Sequence, residues 1–158
     1  MPRTYVLERR QFIPRPVDEV FDFFGDAGNL ETITPPWLNF RILTPRPIDL
    51  HEGTLIDYRL RVCGVPIYWR TIIESFDPGK QFVDRQLRGP YKLWRHLHVF
   101  EPFQGGTRML DRVEYQMPFG PLGTLTHAIL TTRQLKAIFD FRAETIDRLF
   151  AAPAVAVD

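Results

Sequence analysis

From Thr124 to Ala151 the chain contains neither proline nor glycine, and the whole stretch reads as one long helix. Leu135, Ile138, Phe139, Phe141 and Ile146, with Leu125, Ile129, Leu149 and Phe150 towards the ends, supply its apolar surface. Arg133, Lys136, Asp140, Glu144, Asp147 and Arg148 fill most of the rest. A helix this long with one apolar stripe must bury that stripe on a partner. The only large partner lies upstream. Between Trp37 and Met117 the chain is a series of extended segments separated by turn signals. The pattern therefore requires a sheet with a helix laid across it.

The order of elements follows from punctuation. Thr4 to Ile13 reads as a first strand, stopped by Pro14-Arg15-Pro16. Val17, Val20, Phe21 and Phe24 sit at helical spacing, with Asp18 and Glu19 favourable in the first turn and Gly25 ending the segment. Asp26 is placed to cap a second short helix, Ala27 to Ile33, which Pro35-Pro36 terminates. Strands are then expected over Leu38–Thr44, Gly53–Val62, Val65–Phe76 and Gln81–Arg88, with turns at Cys63-Gly64, Asp77-Pro78-Gly79-Lys80 and Gly89-Pro90. A last hairpin spans roughly Tyr91 to Met117, and Phe119-Gly120-Pro121-Leu122-Gly123 separates it from the long helix.

That hairpin carries the most chemistry. Alternate residues of a strand share a face, so Trp94, His96, His98 and Phe100 line up together. Met109, Asp111, Val113, Tyr115 and Met117 do the same on the returning strand. A loop of about four residues around Gly105-Gly106 would set His96 opposite Asp111. Pairing the other hairpins outward from their turns adds Ile56, Tyr58, Leu60, Trp69, Thr71, Ile73, Val83, Arg85 and Leu87 to the same inner face. Leu93, Leu97 and Val99 then fall on the outer face, and a one-residue slip near Gly89-Pro90 would exchange the two sides. An aromatic face holding two imidazoles and a carboxylate is how a pocket wall looks when it excludes water and orients something polar.

Composition narrows the function classes. At 158 residues the chain reads as one domain, 1–158, with 44% hydrophobic residues and thirteen Phe, five Tyr and three Trp to fill a core or cavity. Twenty basic against nineteen acidic residues leave a net charge of +1, which gives nucleic-acid binding little support. The single cysteine, Cys63, excludes an intrachain disulfide, reads as inert, and fits a reducing cytoplasm. No secretory leader or membrane span is visible near or after Met1. Cofactor-binding glycine patterns are absent, Gly105-Gly106 being turn chemistry only.

Ile13-Pro14-x-Pro16-x-x-x-Val20-Phe21-x-Phe23, Gly89-Pro90-Tyr91, Trp94-x-His96-x-His98-x-Phe100, Gly105-Gly106-Thr107, Phe119-Gly120-Pro121-Leu122-Gly123 and Arg133-x-Leu135-x-x-Ile138-Phe139-x-x-Arg142 together span nearly the whole chain. In these motifs the chain resembles the START/Bet v 1-like (SRPBCC) superfamily of polyketide cyclases, dehydrases and lipid-transport proteins, in a bacterial ligand-binding branch. The resemblance implies an α+β helix-grip fold, β-α-α-β6-α, in which a curved antiparallel sheet wraps a long C-terminal helix around an internal cavity. It implies no universal catalytic residue, cofactor or metal, because members include carriers, sensors and cyclases alike.

The leading expectation is a cavity that binds a small hydrophobic molecule, lipid-like, sterol-like or polycyclic, as carrier or sensor. Its candidate ligand-binding residues are Arg85, Trp94, His96, His98, Phe100, Met109, Asp111, Tyr115, Trp69 and Tyr58, with Arg85 beside Trp94 the best reader of an acidic ligand. The alternative is an aromatase/cyclase, dehydratase or isomerase, using His96 or His98 with Asp111 on a carbonyl substrate. His-x-His with Asp111 as third ligand is also the start of a metal site, a reading set below an organic ligand. A buried polar network that satisfies itself explains the same residues. A third reading, a regulatory or partner-binding domain, would show itself as an exposed apolar patch or a homodimer. Trp37 either gates the cavity mouth or packs on a helix end, and Pro118 to Gly123 is either a second lip or plain punctuation.

Overall fold

The computed structural model describes residues 2–151. Seven strands form one antiparallel sheet: β1 (Thr4–Ile13), β2 (Arg41–Ile42), β3 (Leu55–Val62), β4 (Val65–Asp77), β5 (Gln81–Arg88), β6 (Leu93–Phe103) and β7 (Gly106–Gln116). Their order across the sheet is β1-β7-β6-β5-β4-β3-β2, so the first two strands in sequence lie at opposite edges. Between them run α1 (Val17–Phe24) and α2 (Leu30–Ile33). After β7 come α3 (Gly120–Thr126), a π-helical turn over His127–Thr131, and α4 (Thr132–Leu149). The result is the expected α+β arrangement, a curved sheet closed around a long C-terminal helix.

Local chemistry explains most boundaries. Asp26 accepts a hydrogen bond from the Gly28 amide, the cap expected of it. Val20, Phe21 and Phe24 of α1 are buried against Ile13, Phe82, Phe100, Met109, Ile146 and Phe150, sealing one end of the grip. Cys63-Gly64 and Gln104-Gly105 are two-residue turns with positive φ at both positions, the handedness that matches strand twist.

Three expectations are corrected. The last hairpin closes through the two residues Gln104-Gly105 and not through about four, so His98 lies opposite Asp111 and His96 opposite Val113. The shift is two residues, which preserves the faces. On β5 the faces are exchanged. A β-bulge at Glu74 inserts one residue into β4, so Ile73 faces Asp84 where an unbroken ladder would bring Arg85. Phe82 and Asp84 therefore point inward and Arg85 outward; Val83 lies on the outer side of the strand yet is buried, and Leu87, at a second irregularity in the ladder, is exposed. Finally, the strand expected over Leu38–Thr44 shrinks to the two residues of β2, because Pro36–Leu38 turns as a 3-10 helix and Asn39 adopts a left-handed conformation.

The helical tail also differs at its start. Helix begins at Gly120, four residues earlier than the sequence pattern indicates, since Pro121 lacks an N–H and is compatible with a first turn. Leu135, Phe139 and Ile146 bury the expected stripe of α4, but Leu125 and Ile129 remain exposed. Trp37 is exposed and packs edge-on against Phe141 in the middle of α4, 5.8 Å between ring centroids.

Candidate functional site

Between the sheet and α4 lies a cavity of about 370 Å³, within the range of small-molecule sites. Tyr58, Trp69, Trp94, His96 and His98 line it, five of the ten residues singled out from the sequence. The aromatic wall is mutually braced. Trp69 meets Trp94 edge-on at 5.5 Å and stacks on Tyr58 at 5.9 Å. Thr71 takes the Trp69 indole N–H at 3.1 Å and shares a hydrogen bond of 2.8 Å with the Tyr58 hydroxyl, so the polar tips of this wall are satisfied. Burial pushes the Tyr58 and Tyr91 phenols up, and both stay protonated.

One side of the cavity is polar and buried. His96 Nε2 donates to Asp111 Oδ1 at 2.8 Å, and His98 Nε2 donates to Asp84 Oδ2 at 2.6 Å. The two imidazoles stack at 3.7 Å, and His98 Nδ1 stands 3.3 Å from Asp111 Oδ1. From α4, Arg142 forks onto both Asp111 oxygens at 3.3 Å. Asp111 is 3% exposed and Arg142 8%. The guanidinium also lies over the Phe24 ring at 5.3 Å.

The protonation states follow from these contacts. Burial alone would raise the Asp111 pKa, but the Arg142 charge and the two imidazoles outweigh it and hold the carboxyl well below its usual range. Asp84 is likewise lowered, with His98 overcoming burial. His98 is raised: burial works against its cation, yet Asp111 and Asp84 prevail. His96 is lowered, by burial and by the neighbouring His98 cation, against the opposing pull of Asp111. The two carboxylates thus face the Arg142 guanidinium and the His98 ring, whose cation they favour, while burial and His98 favour the neutral form of His96. With Nε2–H committed to Asp111, its Nδ1 makes no hydrogen bond among the described residues, and His98 Nδ1 is a buried nitrogen likewise without one. The His96 side chain faces the cavity.

The remaining candidates are distributed elsewhere. Phe100 and Met109 belong to the packed end near α1, and Asp111 sits behind the imidazoles. Tyr115 is core, and its hydroxyl shares a 2.7 Å hydrogen bond with His127 of the π-helical turn, whose ring stacks on Tyr5 at 3.6 Å. Arg85 is not at the site. It points outward beside Glu74, 3.5 Å away, as the bulge dictates. Sequence reasoning missed Asp84 and the role of Arg142. The second left a trace: Leu135, Phe139, Arg142 and Ile146 share one helical face, and a cation in an apolar stripe needs a buried partner.

Asp84, His96 and His98 offer ligand atoms within 4.8 Å of one another, so Asp84 and not Asp111 completes the group a divalent ion would use. Binding there would require His98 to give up its proton. A second cavity, of about 220 Å³, reaches the network from the opposite side of α4, through Arg9, Gln11, Asp147 and Asp111. Phe139 and Arg142 line both cavities and form the partition.

A curved antiparallel sheet gripping a C-terminal helix, with a cavity between them, defines the helix-grip class of α+β proteins. The chain belongs to the polyketide cyclase / dehydrase and lipid transport family, whose profile matches residues 13–142. Among solved structures it is similar to truncated norcoclaurine synthase from Thalictrum flavum, with a TM-score of 0.69 and 14% identity over 97% of both chains. It is also similar to the Zhui aromatase/cyclase from Streptomyces sp. R1128, with a TM-score of 0.66 and 16% identity over 97% of this chain and 100% of that one. Protein Ms6760 from Mycobacterium smegmatis gives a TM-score of 0.67 and 18% identity over 94% and 92%. At these identities the likeness is one of fold. No curated protein sequence gives a match.

Proposed function

We propose that the cavity binds a small, mainly apolar and uncharged molecule, and that the protein acts as its carrier or sensor. The observation that carries this reading is an aromatic cavity of about 370 Å³ whose polar groups are already paired with one another, His96 and Arg142 with Asp111 and His98 with Asp84. Apolar burial, at roughly 25 cal/mol per Å², supplies affinity. His96 Nδ1 accepts a hydrogen bond from a ligand hydroxyl and fixes its orientation. A ligand bearing a net charge would upset the pairing of a desolvated network and is disfavoured. Titration with the neutral fluorophore N-phenyl-1-naphthylamine tests this. Saturable 1:1 binding is expected, weakened about tenfold or more when Leu60→Trp fills the cavity. Absence of binding by the wild type, or equal binding by the filled variant, overturns the proposal.

One feature favours a second reading. A neutral imidazole held by a carboxylate, with its other nitrogen towards an apolar cavity, is the arrangement of a general base. Proton abstraction next to a carbonyl, as in cyclisation or dehydration, would use His96 as base, Asp111 as its positioning partner and the His98 imidazolium as a nearby charge. Under this reading His96→Gln lowers turnover of a carbonyl substrate by about 10²–10⁴-fold while binding changes little. Under the carrier reading the same variant changes only affinity.

A further inference from the structure

The charges of this nearly neutral chain are segregated. Residues 58–73, 85–100 and 115–139 hold nine Lys or Arg and no Asp or Glu, which leaves eleven basic against nineteen acidic residues elsewhere. The topology brings these three segments to one end of the molecule. They contain the β3–β4 turn, the β5–β6 turn and the passage from β7 into α3. Cys63, Tyr91 and Leu130 from the three segments all line the cavity, and Gln134 donates to Cys63 Sγ at 3.2 Å across its rim. Of the nine cations, Arg70, Arg85, Arg95 and Lys136 are paired with acids. Arg59, Arg61, Arg88, Lys92 and Arg133 are exposed and have no ion-pair partner among the described residues.

The same end carries the exposed apolar side chains that α3 fails to bury. Phe119 is 79% exposed, Leu122 65%, and Leu125, Ile129 and Leu130 at least half. They lie on α3 and the π-helical turn, next to the cavity and outside its packed core. No described helix is long and apolar enough to cross a membrane. A short, outward-facing apolar helix at an end of the molecule that also carries unpaired cations is instead the pattern of a segment that lies in a membrane interface. An acidic protein partner would account for the cations, but not for bulky side chains standing proud of the surface at the helix that rims the cavity.

We propose that this end docks on an anionic bilayer, with Phe119, Leu122 and Leu125 entering the headgroup region and the cavity mouth held against the lipid. The inference rests on the cavity-binding reading for its purpose, since it supplies a route by which an apolar ligand passes between bilayer and cavity without crossing water.

Vesicle flotation tests it. The wild type should float with vesicles containing phosphatidylglycerol, and about tenfold less with phosphatidylcholine alone or at high salt. Leu122→Ser/Leu125→Ser and Arg61→Glu/Lys92→Glu should each reduce flotation about tenfold or more. Both should keep N-phenyl-1-naphthylamine binding and melting temperature, because these side chains lie outside the cavity and core. No flotation by the wild type, or undiminished flotation by either variant, overturns docking. A concentration-dependent dimer abolished by Leu122→Ser/Leu125→Ser would assign the face to a second copy, and also overturns it. Fluorophore binding without flotation rejects docking alone, whereas flotation without fluorophore binding rejects the cavity reading alone.

Discussion

Asp111 has three cationic or hydrogen-bonding neighbours and is buried, so its replacement is a test of how the polar wall is held. Asp111→Asn would leave Arg142 buried without its counter-charge, at a cost of about 3–5 kcal/mol in chemical denaturation. The pH dependence has a definite sign. Asp84 and Asp111 have lowered folded pKa values, so their contribution is present above the unfolded value of about 4 and is lost as pH falls through the folded ones. The gap between wild type and Asp111→Asn should therefore close as the medium is acidified below about pH 4. His98 acts in the opposite sense. Its raised folded pKa gives stability that is complete below about pH 6.5 and fades as pH climbs through the folded value. In His98→Gln that alkaline decline should be missing from a plot of melting temperature against pH.

Among the elements, the β6–β7 hairpin shows how far period-two alternation carries. It placed Trp94, His96, His98, Phe100, Met109, Asp111 and Tyr115 on one face, and a two-residue error in loop length left that face unchanged. Diagonal reach then restored the His96–Asp111 contact that the corrected register had displaced. The β4–β5 pair shows where alternation ends. The bulge at Glu74 reverses the parity from Asp84 to Gln86, until a second irregularity between Arg70 and Thr71 restores it at Arg88, and nothing in Glu74-Ser75-Phe76 distinguishes a bulge from a regular strand. Asp84 and Arg85 exchanged places for that reason alone. The start of α3 was obscured differently, by a proline and two glycines that mark a break and a first helical turn equally well. Gly123 is the residue that permits this turn, since a Cβ there would lie 1.8 Å from the Pro118 carbonyl oxygen. Gly123→Ala should cost about 1–3 kcal/mol. Faster amide exchange confined to residues 119–131 would mark the damage as local to α3 and the π-helical turn.

At the scale of the whole molecule, the two cavities are kept apart by the Phe139 ring and the Arg142 side chain. Phe139→Ala should lower stability by about 3–5 kcal/mol. By opening the partition it should also admit a longer ligand, seen as tighter binding of an elongated fluorophore relative to N-phenyl-1-naphthylamine. The sheet order has a different consequence, one that concerns time. β1 leaves the ribosome before its ladder partner, β7, which ends at Gln116. Every residue pair that fixes β1 spans most of the chain, so loop closure must precede any reward. The nascent chain holds a strand with no mate until residues 107–116 have been added. Slow, all-or-none acquisition of structure is thus built into the same pairing that sets β1 at the edge of the sheet beside β7.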